Sequence, residues 1–342
     1  MTKSKYPDKQ QNTHPSGICR TFGRFFVFRL CEYDDWAKYW HRRWMVLMEY
    51  LENECLKLGF LGNKGAAIAQ ALAKVNDKWV PFLYSNQSQS GKINPTGMYV
   101  LAPFSNRIST GGFSHNGVRH SVKRNVDAEA FPIHGNAWQS QWTIKEKSDS
   151  HITYQLLDAL CPPFRYNAEL EYTLEGNTLH CELTVTNTSD ITLPFGLGFH
   201  PWFYRHKDTQ VQFDSQDVWL EDHQHLPTTL LCVFDNPSWS FASPRCLPND
   251  WINNAYFKWA RTASITQPKD NLTIHVKGTE LLSYLILYSP DSAAEFFCLE
   301  PVSHPVDAFN LPQKPGLVNL AKGERMNAVM NIKCVADESQ NT

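Results

Sequence analysis

Four separated segments set proton-carrying or hydrogen-bonding side chains among apolar and turn-forming neighbours: residues 101–108 with Gly111-Gly112-Phe113 behind them, 131–135 followed by Trp138 and Trp142, 196–203, and 296–305. Glu300 ends a strongly apolar run, Phe296-Phe297-Cys298-Leu299. A carboxyl at the end of a buried strand is desolvated, which raises its pKa toward the range of a useful base. His200 stands between Phe199 and Pro201 in the same manner, and an imidazole gives or takes a proton near neutrality. Arg107 offers a rigid fork of donors for hydroxyls or for a carboxylate. On residue type alone these groups describe an acid–base site. They equally allow a structural reading in which Glu300 is the buried ion-pair partner of Arg107.

Motifs for other chemistries are missing from the sequence. There is no G-x-G-x-x-G after a strand, no Walker loop, no H-E-x-x-H and no G-x-S-x-G. His223-x-His225 beside Asp222 has no third and fourth ligand at a matching spacing, so it reads as a solvated loop. No metal and no cofactor are expected.

The elements that must hold these residues are strands. From Cys55 onward, short runs alternate apolar and polar residues at 56–60, 80–84, 142–147, 151–157, 166–174, 178–186, 211–213, 263–266, 272–276, 284–288, 295–299 and 327–334. Gly62-Asn63-Lys64-Gly65, Glu175-Gly176-Asn177 and Pro268-Lys269-Asp270-Asn271 punctuate them as turns. The runs at 166–174 and 178–186 form the clearest hairpin. No alternation of strands with helical patterns appears, which excludes a doubly wound nucleotide fold, and no 20–50-residue repeat is present. The expectation is an all-β chain: one large antiparallel sandwich over 51–335, an N-terminal extension over 1–50 and a polar tail over 336–342.

Residues 1–44 carry nine Lys/Arg and four Asp/Glu, a net +5, so the rest of the chain carries −7 of the overall −2. The first sixteen residues are polar and expected to lack fixed structure. Residues 36–51 have helical spacing of Trp36, Tyr39, Trp40, Trp44 and Leu47. The overall charge argues against nucleic acid as a partner. Nine cysteines at irregular spacing, with no C-x-x-C, fit free thiols in a reducing compartment. No run approaches the length of a membrane span, and Phe25-Phe26-Val27-Phe28 is too short for a signal core. The chain is expected to be cytoplasmic; its oligomeric state is not legible.

Taken together and in order, Asn106-Arg107-Ile108, His134-Gly135, His200-Pro201-Trp202-Phe203, and Leu299-Glu300-Pro301 with Asp307-Ala308-Phe309-Asn310 resemble the aldose 1-epimerase (galactose mutarotase) family, in particular its bacterial aldose 1-epimerase-like branch. The likeness covers roughly 55–334. It implies a β-supersandwich with an open cleft for a monosaccharide. It implies Glu300 as general base toward the anomeric hydroxyl and His200 as general acid toward the ring oxygen. It also implies Arg107, His134 and Asn106 as groups that bind and orient the sugar. Mutarotation needs one base and one acid on opposite sides of the C1–O5 bond, both able to hold and release a proton, and needs no metal, hydride carrier or covalent intermediate. In 251–259 the sequence departs from the family pattern: Asn253 stands where the family has an Asp that binds a sugar hydroxyl, and Lys258 where a Gly is common. An amide still hydrogen-bonds a hydroxyl, so the departure bears on which sugar is taken. Two alternatives follow from these residues: a hexose-phosphate mutarotase using Arg119, Lys123 and Arg124, and a non-catalytic sugar-binding protein.

Overall fold

Extended backbone points successive side chains to opposite faces, so an alternating sequence buries one face and a continuous apolar run buries both. Both kinds occur in this computed structural model, which describes residues 48–85 and 96–337. Two antiparallel sheets make up nearly all of it. The larger has eleven strands, in the order Glu49–Glu52, Leu56–Leu61, Ala67–Val75, Met98–Leu101, Gly198–Tyr204, Phe296–Val302, Tyr284–Ser289, Ile252–Phe257, Asp217–Glu221 and Pro227–Cys232, with Lys78–Pro81 also paired to Ala67–Val75. The smaller has nine, in the order Phe241–Cys246, Gln210–Phe213, Thr262–Gln267, Leu272–Gly278, Arg325–Ala336, Thr178–Asn187, Phe164–Glu175, His151–Cys161 and Thr143–Lys147. The all-β expectation holds. No helix among the described residues is long and apolar enough to cross a membrane.

The hairpin read from sequence is present, with Tyr166 opposite Asn187 and Glu175 opposite Thr178. Gly176 supplies the positive φ of +54° that the tight turn requires. Its strands alternate buried and exposed residues almost without a break. One face packs on the larger sheet: Tyr172 lies 4.9 Å from Phe60, and its hydroxyl donates to the Ala66 carbonyl at 3.1 Å.

Several expectations are corrected. The helix over 36–51 falls mostly outside the described residues, and its end, from Glu49, is strand. Pairing of Glu49 with Phe60 and of Leu51 with Leu58 draws that segment into the large sheet and buries Leu51. The strand read at 80–84 lies at Lys78–Pro81. The strands Ala67–Val75, Met98–Leu101 and Gly198–Tyr204 give no alternating signal in the sequence, because their apolar residues run on without a period of two, and Ile252–Phe257 gives none because Asn253 and Asn254 stand side by side. The tail beyond 337 and the extension before 48 lie outside the described residues.

The continuous runs have a structural cause. In the middle of the large sheet, Val100, Phe199, Phe203, Phe297, Leu299, Leu285 and Leu287 point into the core shared with the small sheet. Tyr99, Leu101, Trp202, Cys298, Val302, Tyr284 and Ile286 form a second buried cluster on the opposite face.

Candidate active site

That second face holds the candidate acid–base residues, and strand register places them. Leu101 pairs with Gly198 and Tyr99 with His200. Gly198 pairs with Val302 and Trp202 with Cys298, which sets His200 across from Glu300 on the neighbouring strand. Glu300 in turn pairs with Ile286, Tyr288 with Cys298, and Asn253 with Tyr288. Since Leu299 must face the core, Glu300 must face the other way.

His200 Nε2 and Glu300 Oε1 are 3.2 Å apart, so the two groups touch side by side. Glu300 is 3% exposed and His200 5%. Glu300 Oε2 and His200 Nδ1 are buried without a hydrogen-bond partner. The imidazole is clamped between aromatic rings: Tyr99 at 4.6 Å, and Trp202 stacked at 5.2 Å with a 17° tilt. Burial pushes the Glu300 carboxyl well above the ordinary carboxylate value, while Arg107 draws it part of the way back. Burial lowers His200 to about 3. Both shifts have one cause: a low-dielectric site penalises the charged form of each group.

His134 meets His200 edge-on at 5.2 Å. Its Nδ1 accepts the Asn106 backbone N–H at 3.1 Å, so the ring hydrogen resides on Nε2 as a donor. Burial, with like-charge repulsion from Arg107 and the neighbouring imidazoles behind it, holds this ring well below the usual histidine value. His134 and Gly135 both have positive φ, and a Cβ on Gly135 would lie 2.1 Å from the Ala102 carbonyl oxygen. Only glycine allows the two segments to approach so closely.

Arg107 does not pair with Glu300. Its Nε and Nη2 contact Glu129 Oε2 at 3.0 and 2.9 Å, and Asn106 Oδ1 accepts its backbone N–H at 2.9 Å. The structural reading in which Arg107 and Glu300 are ion-pair partners is thus corrected: Glu129, which sequence reasoning passed over, holds the guanidinium. The Asp307–Asn310 motif serves the same loop. Asp307 accepts from the Ser109 N–H at 2.8 Å and its hydroxyl at 2.6 Å, and its own N–H bonds the Arg107 carbonyl at 3.0 Å. His304 accepts the Ser105 N–H at 3.0 Å, and burial lowers it to about 4.

Asn253 lies two strands from Glu300, and its amide donates to Glu221 Oε2 at 2.7 Å. Glu221 Oε1 accepts from Trp251 Nε1 at 2.7 Å and lies 3.1 Å from His225 Nδ1. Trp251 stacks on His225 and meets Tyr288 edge-on at 5.2 Å. Sequence reasoning found Asn253 and missed Glu221, the carboxylate that Asn253 serves. His225 is likewise explained by Glu221. The basic residues of the phosphate alternative are partly engaged: Arg119 donates to Thr110 and Arg124 to the Glu129 carbonyl.

The aldose 1-epimerase family model matches residues 62–333. The chain is 30% identical over 251 residues to the uncharacterised protein YphB of Escherichia coli K12, covering 72% of this chain and 86% of YphB. It is 27% identical over 225 residues to YihR of the same organism, also uncharacterised, covering 62% of this chain and 71% of YihR. Among solved structures, a candidate aldose 1-epimerase of E. coli K12 superposes with a TM-score of 0.78 at 28% identity, over 84% of this chain and 99% of the other. Galactose 1-epimerase of Lactobacillus acidophilus NCFM shares the fold, with a TM-score of 0.68 at 16% identity over 85% of this chain and 95% of that one. With the match spanning most of its length, the chain belongs to the aldose 1-epimerase family.

Proposed function

We propose that this protein is an isomerase that interconverts the α and β anomers of a free aldose by opening and reclosing the ring. The observation that carries the reading is the buried contact between Glu300 and His200 at 3.2 Å. The anomeric hydroxyl and the ring oxygen hang on the same carbon, so the group that takes one proton and the group that gives the other must be close neighbours. A bound hemiacetal exchanges the Glu300–His200 contact for one contact to each of its oxygens.

One proton is shared between the two groups. With Glu300 as carboxylate and His200 as imidazolium, Glu300 takes the proton of the anomeric hydroxyl while His200 protonates the ring oxygen, and the C1–O5 bond breaks. The pair is left as carboxylic acid and neutral imidazole. After rotation about C1–C2, His200 removes the proton from O5, Glu300 returns one to the carbonyl oxygen, and the ring closes as the other anomer. Each half-reaction leaves the pair in the state the next one needs, and the pair's net charge is zero throughout, which suits a desolvated site. Arg107 favours the ionised form of Glu300. His134 offers its Nε2–H to the oxygen that becomes the carbonyl. Glu221, positioned by Asn253 and Trp251, accepts a hydroxyl on the far side of the sugar.

Polarimetry of freshly dissolved α-D-glucose and α-D-galactose tests this, with the natural chain beside Glu300→Gln. The natural chain is expected to speed relaxation and the variant to lose that effect. Sugar binding by calorimetry with relaxation at the spontaneous rate would replace this reading with a binding role. Competition by a sugar phosphate far below the free-sugar concentration would move the substrate to a hexose phosphate.

A further inference from the structure

The face that holds Glu300 and His200 also holds a thiol. Cys298 precedes Glu300 by two residues on the same strand, so both side chains emerge on one face, and His200 projects from the strand alongside. One ligand atom from each of His200, Cys298 and Glu300 lies within 4.8 Å of the others, and all three residues are buried. Among the described residues no other group of three or more His, Cys, Asp or Glu is gathered this way. Glu300 Oε2 and His200 Nδ1 lack protein partners in the same place.

We propose that His200, Cys298 and Glu300 form a binding site for a thiophilic divalent cation of the zinc class, and that the cation excludes the sugar by occupying both proton-transfer groups. The geometry of the trio carries the site; the inhibition rests on the acid–base reading above. Zinc bond lengths of about 2.0–2.3 Å to nitrogen, oxygen and sulfur place tetrahedral ligand atoms roughly 3.3–3.6 Å apart. The imidazole–carboxyl separation of 3.2 Å is already close to this. From a separation of at most 4.8 Å, the thiol closes the remainder by moving about an ångström. Thiolate, carboxylate and neutral imidazole around a divalent ion sum to zero charge, the arrangement a buried site tolerates best. A sulfur and a nitrogen ligand select zinc or cobalt over magnesium and calcium, which take oxygen. Three protein ligands leave a fourth position for water.

The full chain is titrated with Co²⁺, following the thiolate-to-cobalt absorption band, and with Zn²⁺ by calorimetry. Cys298→Ser and His200→Gln are run beside it, with Mg²⁺ as control and circular dichroism to check that each variant folds. The expected result is one equivalent of cobalt with a thiolate band, no such band in Cys298→Ser, and zinc binding at least tenfold weaker in both variants. Zinc should slow anomer relaxation by the natural chain, with at least a tenfold higher concentration needed for Cys298→Ser. A cobalt band unchanged in Cys298→Ser, or no stoichiometric binding by the natural chain, overturns the proposal. The two readings separate cleanly. Cobalt binding through Cys298 without any mutarotation leaves the cation site standing and removes the acid–base reading; mutarotation without the Cys298-dependent band does the reverse.

Discussion

Two carboxyl groups on the same large sheet are treated in opposite ways. Glu300 is 3% exposed, has the His200 imidazole against one oxygen, and leaves the other without a donor. Glu221 is met by three nitrogens: the indole of Trp251, the amide of Asn253 and the imidazole of His225. The absence of donors in a dry site favours the neutral acid, as at Glu300. A carboxyl poor in donors can exchange a proton; one rich in donors is fixed in place and suited to accept a hydroxyl. On the proposed reading, the first is the acid–base end of this surface and the second the recognition end.

The largest effect should come from Glu300→Gln, which keeps the shape and removes the proton exchange. It is expected to lower kcat on the order of 10²–10⁴-fold, read by polarimetry. Glu221→Gln should raise KM about tenfold and leave kcat nearly unchanged, since it weakens a hydrogen bond to a charged acceptor. An equal collapse of kcat in both variants would abolish the division between the two ends.

Acid sharpens the same contrast through stability. His200 is lowered to about 3 and His304 to about 4, from an ordinary 6.5, and His134 lies well below its usual value. Between pH 6.5 and 4.5 the unfolded chain therefore binds more protons at these three positions than the folded one. Stability falls as pH drops through that window. Glu300, whose folded value is raised from 4.5, acts in the opposite direction with a single proton, and the three histidines outnumber it. Urea denaturation from pH 7 to 5 should show the decline, on the order of 1 kcal/mol per pH unit for each net proton; stability that rises toward pH 5 would contradict buried neutral imidazoles. The smallest effect is expected from Trp251→Phe, which removes one of Glu221's three donors. A KM rise of about threefold, by the net worth of one such bond, is the outcome to look for in the kinetics.

Legibility divided along a physical line. The hairpin at 164–187 was readable because half of each strand faces water, and alternation marks such strands. Glu300 and His200 stood out because a polar residue inside an apolar run must have a reason to be there, and the glycine of His134-Gly135 because backbone packs against it. Glu129 and Glu221 gave no such signal. Glu129 stands between two alanines in a loop and Glu221 opens the polar stretch Glu221-Asp222-His223, and each owes its place to a partner distant in the chain: Arg107 is 22 residues from Glu129, and Asn253 is 32 from Glu221.

The sequence by itself determined the β architecture, the buried carboxyl and imidazole, and, through four ordered motifs, the family. Only the tertiary structure decided who touches whom. Register across the strands of one sheet brought His200 to Glu300, turned Asn253 toward Glu221 and set Cys298 beside His200 and Glu300, while loops outside that sheet gave Arg107 to Glu129 in place of Glu300. Pairing between strands far apart in the chain is a property of the closed sheet, and a single strand's pattern fixes which face a residue shows but not which neighbour it meets.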